Sequence, residues 1–143
     1  MSIEQFMKFE WWTMLTSLIY IATAYFLSLP IGWNREMVQK SAGIRTFPLI
    51  AVATCAFTVI GAGLGDPSAH GRVVGSVISG LGFLGGGVIL KKEDKVDGMS
   101  TAVSIWVTGA IGLATGLGRI EIAIMLALVC YLSLRYGKVF KTS

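Results

Sequence analysis

The chain has 143 residues, of which 54 % are apolar and only 14 % charged, with a formal net charge of +4. Ordinary globular domains carry roughly 25 % charged residues, and a small soluble domain has too much surface to cover with so few. Together with a mean hydropathy of +0.71, this argues against a soluble enzyme or cofactor binder and for one domain whose solvent is the bilayer.

The basic residues stand in short groups between apolar runs, so there is no stripe of the nucleic-acid-binding kind. The opening MSIEQFMKFEWW lacks the basic stretch and small-residue cleavage site of a removable signal peptide. Five apolar segments follow, over residues 11–33, 46–64, 72–90, 101–117 and 120–134. They predict an all-α, polytopic helical bundle filling residues 1–143, since a helix needs about 20 residues to cross ~30 Å of hydrocarbon.

The first segment carries Trp11 and Trp12 at one end and Trp33 at the other, as interfacial anchors do. The second holds Cys55, and the fifth Cys130; thiols within apolar runs act as small hydrophobes. The lone His70 sits in the loop GDPSAHG as a solvated side chain. The fourth and fifth segments are short and parted only by GLGRIE at 116–121. A re-entrant pair, giving four full spans, is the alternative to five.

Loop charges favour five. Arg35, Lys40 and Arg45 lie between segments one and two, Lys91, Lys92 and Lys95 between three and four, and Arg135, Lys138 and Lys141 at the end. The opposite side has only Lys8, Arg72 and Arg119. By the positive-inside rule the N-terminus is outside and the C-terminus cytoplasmic.

A shift of 55 positions lays Gly32 on Gly87, Lys40 on Lys95, Gly43 on Gly98 and Thr46 on Thr101. It continues through Ile50 on Ile105, Val52 on Val107, Gly61 on Gly116 and Gly63 on Gly118. The expectation is a duplicated two-helix hairpin, related by an axis along the membrane normal, plus a fifth helix.

The stretch SGLGFLGGGVILKK at 79–92 matches G-x-G-x-x-G through Gly80, Gly82 and Gly85. A dinucleotide fingerprint needs a strand before the glycines, a helix after them and an acid about 20 residues on. Here the chain turns charged five residues after the last glycine, so no cofactor is expected. In lipid, small residues four apart let helix backbones approach. Gly71–Gly75–Ser79 and Gly82–Gly86 form such rows in the third segment, and Gly98–Ala102 and Gly112–Gly116 around the fourth. So many glycines predict two or three close helix neighbours, and the triple glycine 85–87 is also a place where a helix could unwind and expose carbonyls to an ion or solute.

Three blocks then stand in order: GWNREMVQKSAGIRT (32–46), GRVVGSVISGLGFLGGGVI (71–89) and DGMSTAVSIWVTGAIGLATGLG (97–118). Together they resemble the membrane domain of the MgtC/SapB family over roughly residues 25–135. The residues carrying the pattern are Asn34, Arg35, Glu36, Gly43, Arg45 and Thr46 in the first block. Arg72, Ser76, Gly80, Gly82, Phe83, Gly85 and Gly87 carry it in the second, and Gly98, Thr101 and Trp106 in the third. The resemblance implies a bacterial inner-membrane protein linked to growth under low magnesium, in pathogens to virulence, with some members restraining the ATP synthase. It also implies action on a membrane partner, while the exposed small-residue rows point to a homodimer; transport of a solute is the competing activity. The chain departs from the family in having Asn34 where an acid is usual, Gly86 where alanine is usual and Ser76 where glutamine is common. It ends without the cytoplasmic C-terminal domain of the better-known virulence members.

Arg35, Glu36, Arg45 and Thr46 border the end of the first hairpin, where snorkelling makes charge cheap. They read either as topology anchors or as an Arg45–Glu36 pair closing a small vestibule. Thr46 and Thr101 each stand three residues after a glycine at a predicted helix start, suited to cap that helix or to help coordinate a solute. Thr54, Thr58, Ser79, Ser104 and Thr108 are expected to bond their own helix backbone. The acids Asp66, Glu93, Asp94, Asp97 and Glu121 all fall between segments, which argues against a buried carboxylate Mg²⁺ site and, with no nucleophile set present, against catalysis.

Overall fold

The computed structural model describes residues 10–38, 42–92 and 95–137. Five helices are present: α1 (Trp11–Met37), α2 (Thr46–Gly63), α3 (Pro67–Gly87), α4 (Met99–Gly116) and α5 (Ile120–Tyr136). The strands β1 (Leu90–Lys92) and β2 (Lys95–Asp97) pair antiparallel between α3 and α4, with Lys91 opposite Val96.

Three helices, α1, α2 and α4, are both long and apolar enough to cross a membrane. At 27 residues α1 is about 40 Å long, which carries Asn34, Arg35 and Glu36 past a ~30 Å hydrocarbon layer. Pro30 lies inside it without ending it. Helix α3 has the length, 21 residues, but its glycines, His70 and Arg72 dilute its apolar character. It stops at Gly87, before Lys91 and Lys92, because the run 85–87 holds a helix poorly and the Val88 amide turns back to the Gly85 and Gly86 carbonyls. The β-hairpin that follows has no counterpart in the segment pattern.

The connections have local causes. Asp66 is the N-cap of α3; its carboxylate accepts from the Ser68 amide at 2.9 Å, with Pro67 in the first turn. The end of α4 closes through Gly118 at φ 73°, with Gly118 N–H donating to the Thr115 carbonyl and Arg119 N–H to Ala114, both at 2.9 Å. That pair of bonds is the Schellman arrangement, which needs a left-handed residue. The N-caps of α2 and α4 are Arg45 and Gly98, neither with a side-chain cap bond. Thr46 and Thr101 therefore do not cap their helices: both lie inside the first turn, Thr46 exposed and Thr101 buried.

Helix α4 is the centre. It touches α1, α2, α3 and α5, and its buried face includes Ser104, Ile105, Thr108 and Ile111. The closest approach is to α2. A Cβ on Gly112 would strike the Ala51 carbonyl and the Thr54 hydroxyl, and one on Gly116 would lie 2.8 Å from the Cys55 carbonyl oxygen. The Gly112–Gly116 row therefore packs as its spacing predicts. Helix α3 docks less intimately, with the Leu81 side chain seated on Gly109 and Gly85 against Ala102.

The rows on α3 behave differently. Around Gly71, Gly75, Gly80, Gly82, Gly86 and Gly87 a Cβ would meet nothing within 4 Å. Helix α3 has two helix neighbours in this chain, but it meets α4 through Leu81 and Gly85 and α2 through Val73 against Gly61, so these six glycines are not the residues at either contact.

The contact pattern keeps its form when the hairpins α1–α2 and α3–α4 are exchanged: α2 meets α4, α1 meets α4 and α3 meets α2. Ile50 and Ile105, and Gly61 and Gly116, are buried alike. Helix α5 has no such partner and lies on α1 and α4.

Gly112→Ala and Gly116→Ala are each expected to lower the unfolding temperature in detergent, reflecting the ~1–3 kcal/mol typical of overpacking. Gly82→Ala should leave it unchanged or raise it, since alanine is about 1 kcal/mol better than glycine in a helix. Equal effects at the three sites would mean that α2 and α4 are not in backbone contact. At the start of α3, the Ser68 amide holds the Asp66 carboxyl below the usual carboxylate range. Its contribution is therefore complete above the ordinary value of about 3.9 and is lost as pH falls through the lowered one. Hydrogen exchange at Ser68 should quicken in that acid window, and Asp66→Ala should abolish the pH dependence.

Candidate functional site around Arg35

The first block folds back on itself at the end of α1. Gly32 lies against the connection, where a Cβ would be 3.0 Å from Ile44 Cα and 3.2 Å from the Gly43 carbonyl oxygen. The Glu36 carboxylate accepts from the Ile44 amide at 3.1 Å, and Gly43 leaves the space that this carboxylate fills. Glu36 thus fastens the α1–α2 connection through backbone. No ion pair joins it to Arg45 among the described residues, so the vestibule-closing Arg45–Glu36 pair is not formed; the Ile44 amide is nearer and takes the carboxylate.

Arg35 points the other way and is 4 % exposed. Its Nη2 donates to the Asn34 carboxamide oxygen at 3.2 Å, and its Nε finds no partner among the described residues. It stands near the Cys130 thiol of α5, which in turn lies beside the Ser104 hydroxyl of α4. The last turn of α1 supplies the carbonyl end of a helix dipole, a favourable setting for a cation. A guanidinium, a carboxamide, a thiol and a hydroxyl form a donor-rich group suited to an anionic or carbonyl oxygen. Asn34 offers Arg35 only a carboxamide oxygen, and the carboxylate of the same turn, Glu36, is turned to the Ile44 amide instead.

The remaining pattern residues spread out. Arg45 and Thr46 are exposed at the start of α2, and Arg72 stands in the second turn of α3, at the opposite end of that pair of helices, bonded to the Ser68 hydroxyl at 3.0 Å and paired with Asp66 at 3.7 Å. Between them runs an apolar groove of about 1010 Å³ walled by α2 and α3, with Ser76 and Gly80 on its α3 side. Phe83, Gly82 and Gly87 face outward, Gly85 faces α4, and Trp106 is half exposed on the outside of α4. Gly98 has φ 92° and sits so close to the Val88 carbonyl that no side chain fits. Thr46 and Thr101 are not brought together as a matched pair, one being exposed and the other 2 % exposed.

Hydroxyls in the helices mostly bond backward. Thr54 donates to Ile50, Thr58 to Thr54, Ser79 to Gly75 and Ser104 to Ser100. Thr108 does not: its hydroxyl is fully buried with no partner among the described residues. Sequence reasoning missed the part played by Ser104 and Cys130 beside Arg35. The available signal was weak, an arginine one turn from a helix end and a cysteine in an apolar run. Among the described residues no group of three or more His, Cys, Asp or Glu could hold a metal ion.

Comparison with known proteins fits this geometry. The MgtC family matches residues 21–143. A protein MgtC of Brucella abortus is 37 % identical over 101 residues, covering 71 % of this chain and 42 % of that protein. The protein MgtC of Salmonella typhimurium is 32 % identical over 112 residues, 78 % of this chain and 48 % of its own length. An uncharacterized protein of Haemophilus influenzae is 37 % identical over 122 residues, with 78 % and 51 % covered. The chain spans about half the length of the curated relatives it matches. No solved structure matches. With apolar helices built around the three sequence blocks, and a family match that runs through nearly all of them, this membrane protein belongs to the MgtC family.

Proposed function

We propose that this chain is a multi-pass protein of the bacterial inner membrane, N-terminus outside and C-terminus cytoplasmic, that serves adaptation to magnesium limitation by acting on a membrane partner. It carries no catalysis of its own. The observation that carries this reading is the open glycine row of α3: Gly71, Gly75, Gly82 and Gly86 spend helix propensity on a face that the chain leaves bare. In lipid such a row gains contact only from another helix. A second copy completes a homodimer there, and the assembly meets a larger membrane complex, for which the ATP synthase is the family's precedent. The relatives from Brucella and Salmonella carry the name MgtC; the magnesium and virulence context is what the family resemblance implies.

One observation favours the competing reading, a transporter or channel. The unpartnered Arg35 Nε and Thr108 hydroxyl lie inside the bundle, where polar groups without partners mark solute paths. The interior otherwise gives its hydroxyls to its own backbone, which supports the partner reading over transport.

A deletion strain complemented with the wild-type gene should regain growth at low magnesium, and Gly75→Leu with Gly82→Leu should not. Both substitutions enter open space, so the purified variant should keep its helix content and unfolding temperature while losing cross-linked dimers and co-purified partner. Full complementation by that variant would remove the glycine row from function. Arg35→Met separates the second reading: replacing a buried charge by an apolar side chain of similar length is typically neutral or stabilising. Protein in liposomes with no flux of any tested ion, wild type and variant alike, supports partner action; flux lost in Arg35→Met supports transport.

A further inference from the structure

The groove between α2 and α3 has a volume of about 1010 Å³, at the top of the roughly 300–1,000 Å³ found for ligand clefts. Its place in the fold is informative. Exchange of the two hairpins carries the seat of α5, on α4 and α1, onto α2 and α3. One seat is filled by the chain; its counterpart is this groove.

The groove runs from Arg45 and Thr46 at one end to Leu64 and Arg72 at the other. Helix α2, 18 residues, gives it a length of about 27 Å, close to the ~30 Å of a bilayer core. The two ends differ in charge. Arg72 is already engaged by Asp66 and Ser68. Arg45 is exposed, and no hydrogen bond or ion pair joins it to another described residue. One unpaired cation beside a hydroxyl, at one end of an apolar trough, matches a phosphate on an acyl chain.

We propose that the Arg45 half of the groove is a binding site for an anionic phospholipid. Its phosphate lies against the Arg45 guanidinium and the Thr46 hydroxyl, and an acyl chain follows Leu49, Ala53, Gly80 and Leu84. A helix is the poorer occupant. Helix α5 reaches its own seat with Ala123, Ala127 and Cys130, small side chains that let backbones close, whereas the lining here includes the large side chains of Leu49, Phe57 and Leu84. The small-residue row suited to a helix, Gly71, Gly75, Gly82 and Gly86, lines none of this groove. The inference does not depend on the partner proposed above.

Native mass spectrometry of the purified full chain, titrated with phosphatidylglycerol and phosphatidylcholine, tests it. Wild type should prefer the anionic lipid by roughly five-fold, the effect of one basic residue near a membrane surface. Arg45→Gln should abolish the preference and leave phosphatidylcholine binding as it was. Gly80→Leu, whose side chain enters open space in the groove, should weaken both lipids several-fold. Circular dichroism on the same samples verifies that both variants stay folded; Arg45 is exposed and Gly80 unhindered, so helix content should not change. The proposal is overturned if Arg45→Gln keeps the preference or if Gly80→Leu binds both lipids as wild type does. Efficient disulfide formation between copies through Ala53→Cys would put a second chain in the groove and overturn it equally.

Discussion

The backbone contact between α2 and α4 is the constraint on which the rest depends. Hydrocarbon gives helices nothing for burying apolar area against one another, so cohesion must come from close dispersion contact and satisfied polar groups. Gly112 and Gly116 remove the side chains that would hold α2 away, and the Ala51 and Cys55 carbonyls approach them directly. Thr54 and Thr58, on the same face of α2, return their hydroxyls to Ile50 and Thr54. On the α2 side the seam thus strands no polar group, while Thr108, one turn before Gly112 on α4, keeps a buried hydroxyl without a partner among the described residues; α4 is covered on its other sides by α1, α3 and α5.

With that seam at the centre, the two hairpins exchange places without changing which helices meet, and α5 is the element that breaks the exchange. The break has two structural consequences. On the α5 side, Cys130 brings a thiol to Arg35 and Ser104 and completes a buried polar group. On the other side, α2 and α3 keep an apolar trough open to their surroundings. The two exchangeable hairpins and the added helix therefore account together for both the most polar and the most apolar features of the molecule.

Helix positions were legible because apolar runs and the charges between them are a strong signal in a membrane protein, and four of the five starts lie within two residues of the segment boundaries. The exception is α3, which begins at Pro67 because Asp66 caps it; the expected start at 72 took Arg72 for a boundary, yet that arginine sits a turn inside and reaches back to Asp66 and Ser68. The short hairpin of β1 and β2 was illegible, since three-residue strands have no periodicity to read. For the site, spacing identified Gly112 and Gly116 correctly but could not tell them from Gly75 and Gly82. Four-residue spacing says that a face is small, and only the neighbours decide whether anything meets it. One of the two readings of Glu36 paired it with Arg45, because side-chain charge is visible in a sequence, while the backbone amide of Ile44 that takes the carboxylate is not.

The glycine block of α3 is divided in its uses. Gly85 lets α3 approach Ala102, and the other glycines of α3 touch nothing in the chain. Each weakens the helix by about 1 kcal/mol relative to alanine. The buried polar groups that a solute path would need lie elsewhere, on α1 and α4 at Arg35 and Thr108. The open glycines therefore neither hold this bundle together nor line its polar interior. What a face of that kind is physically suited to is the close approach of another backbone.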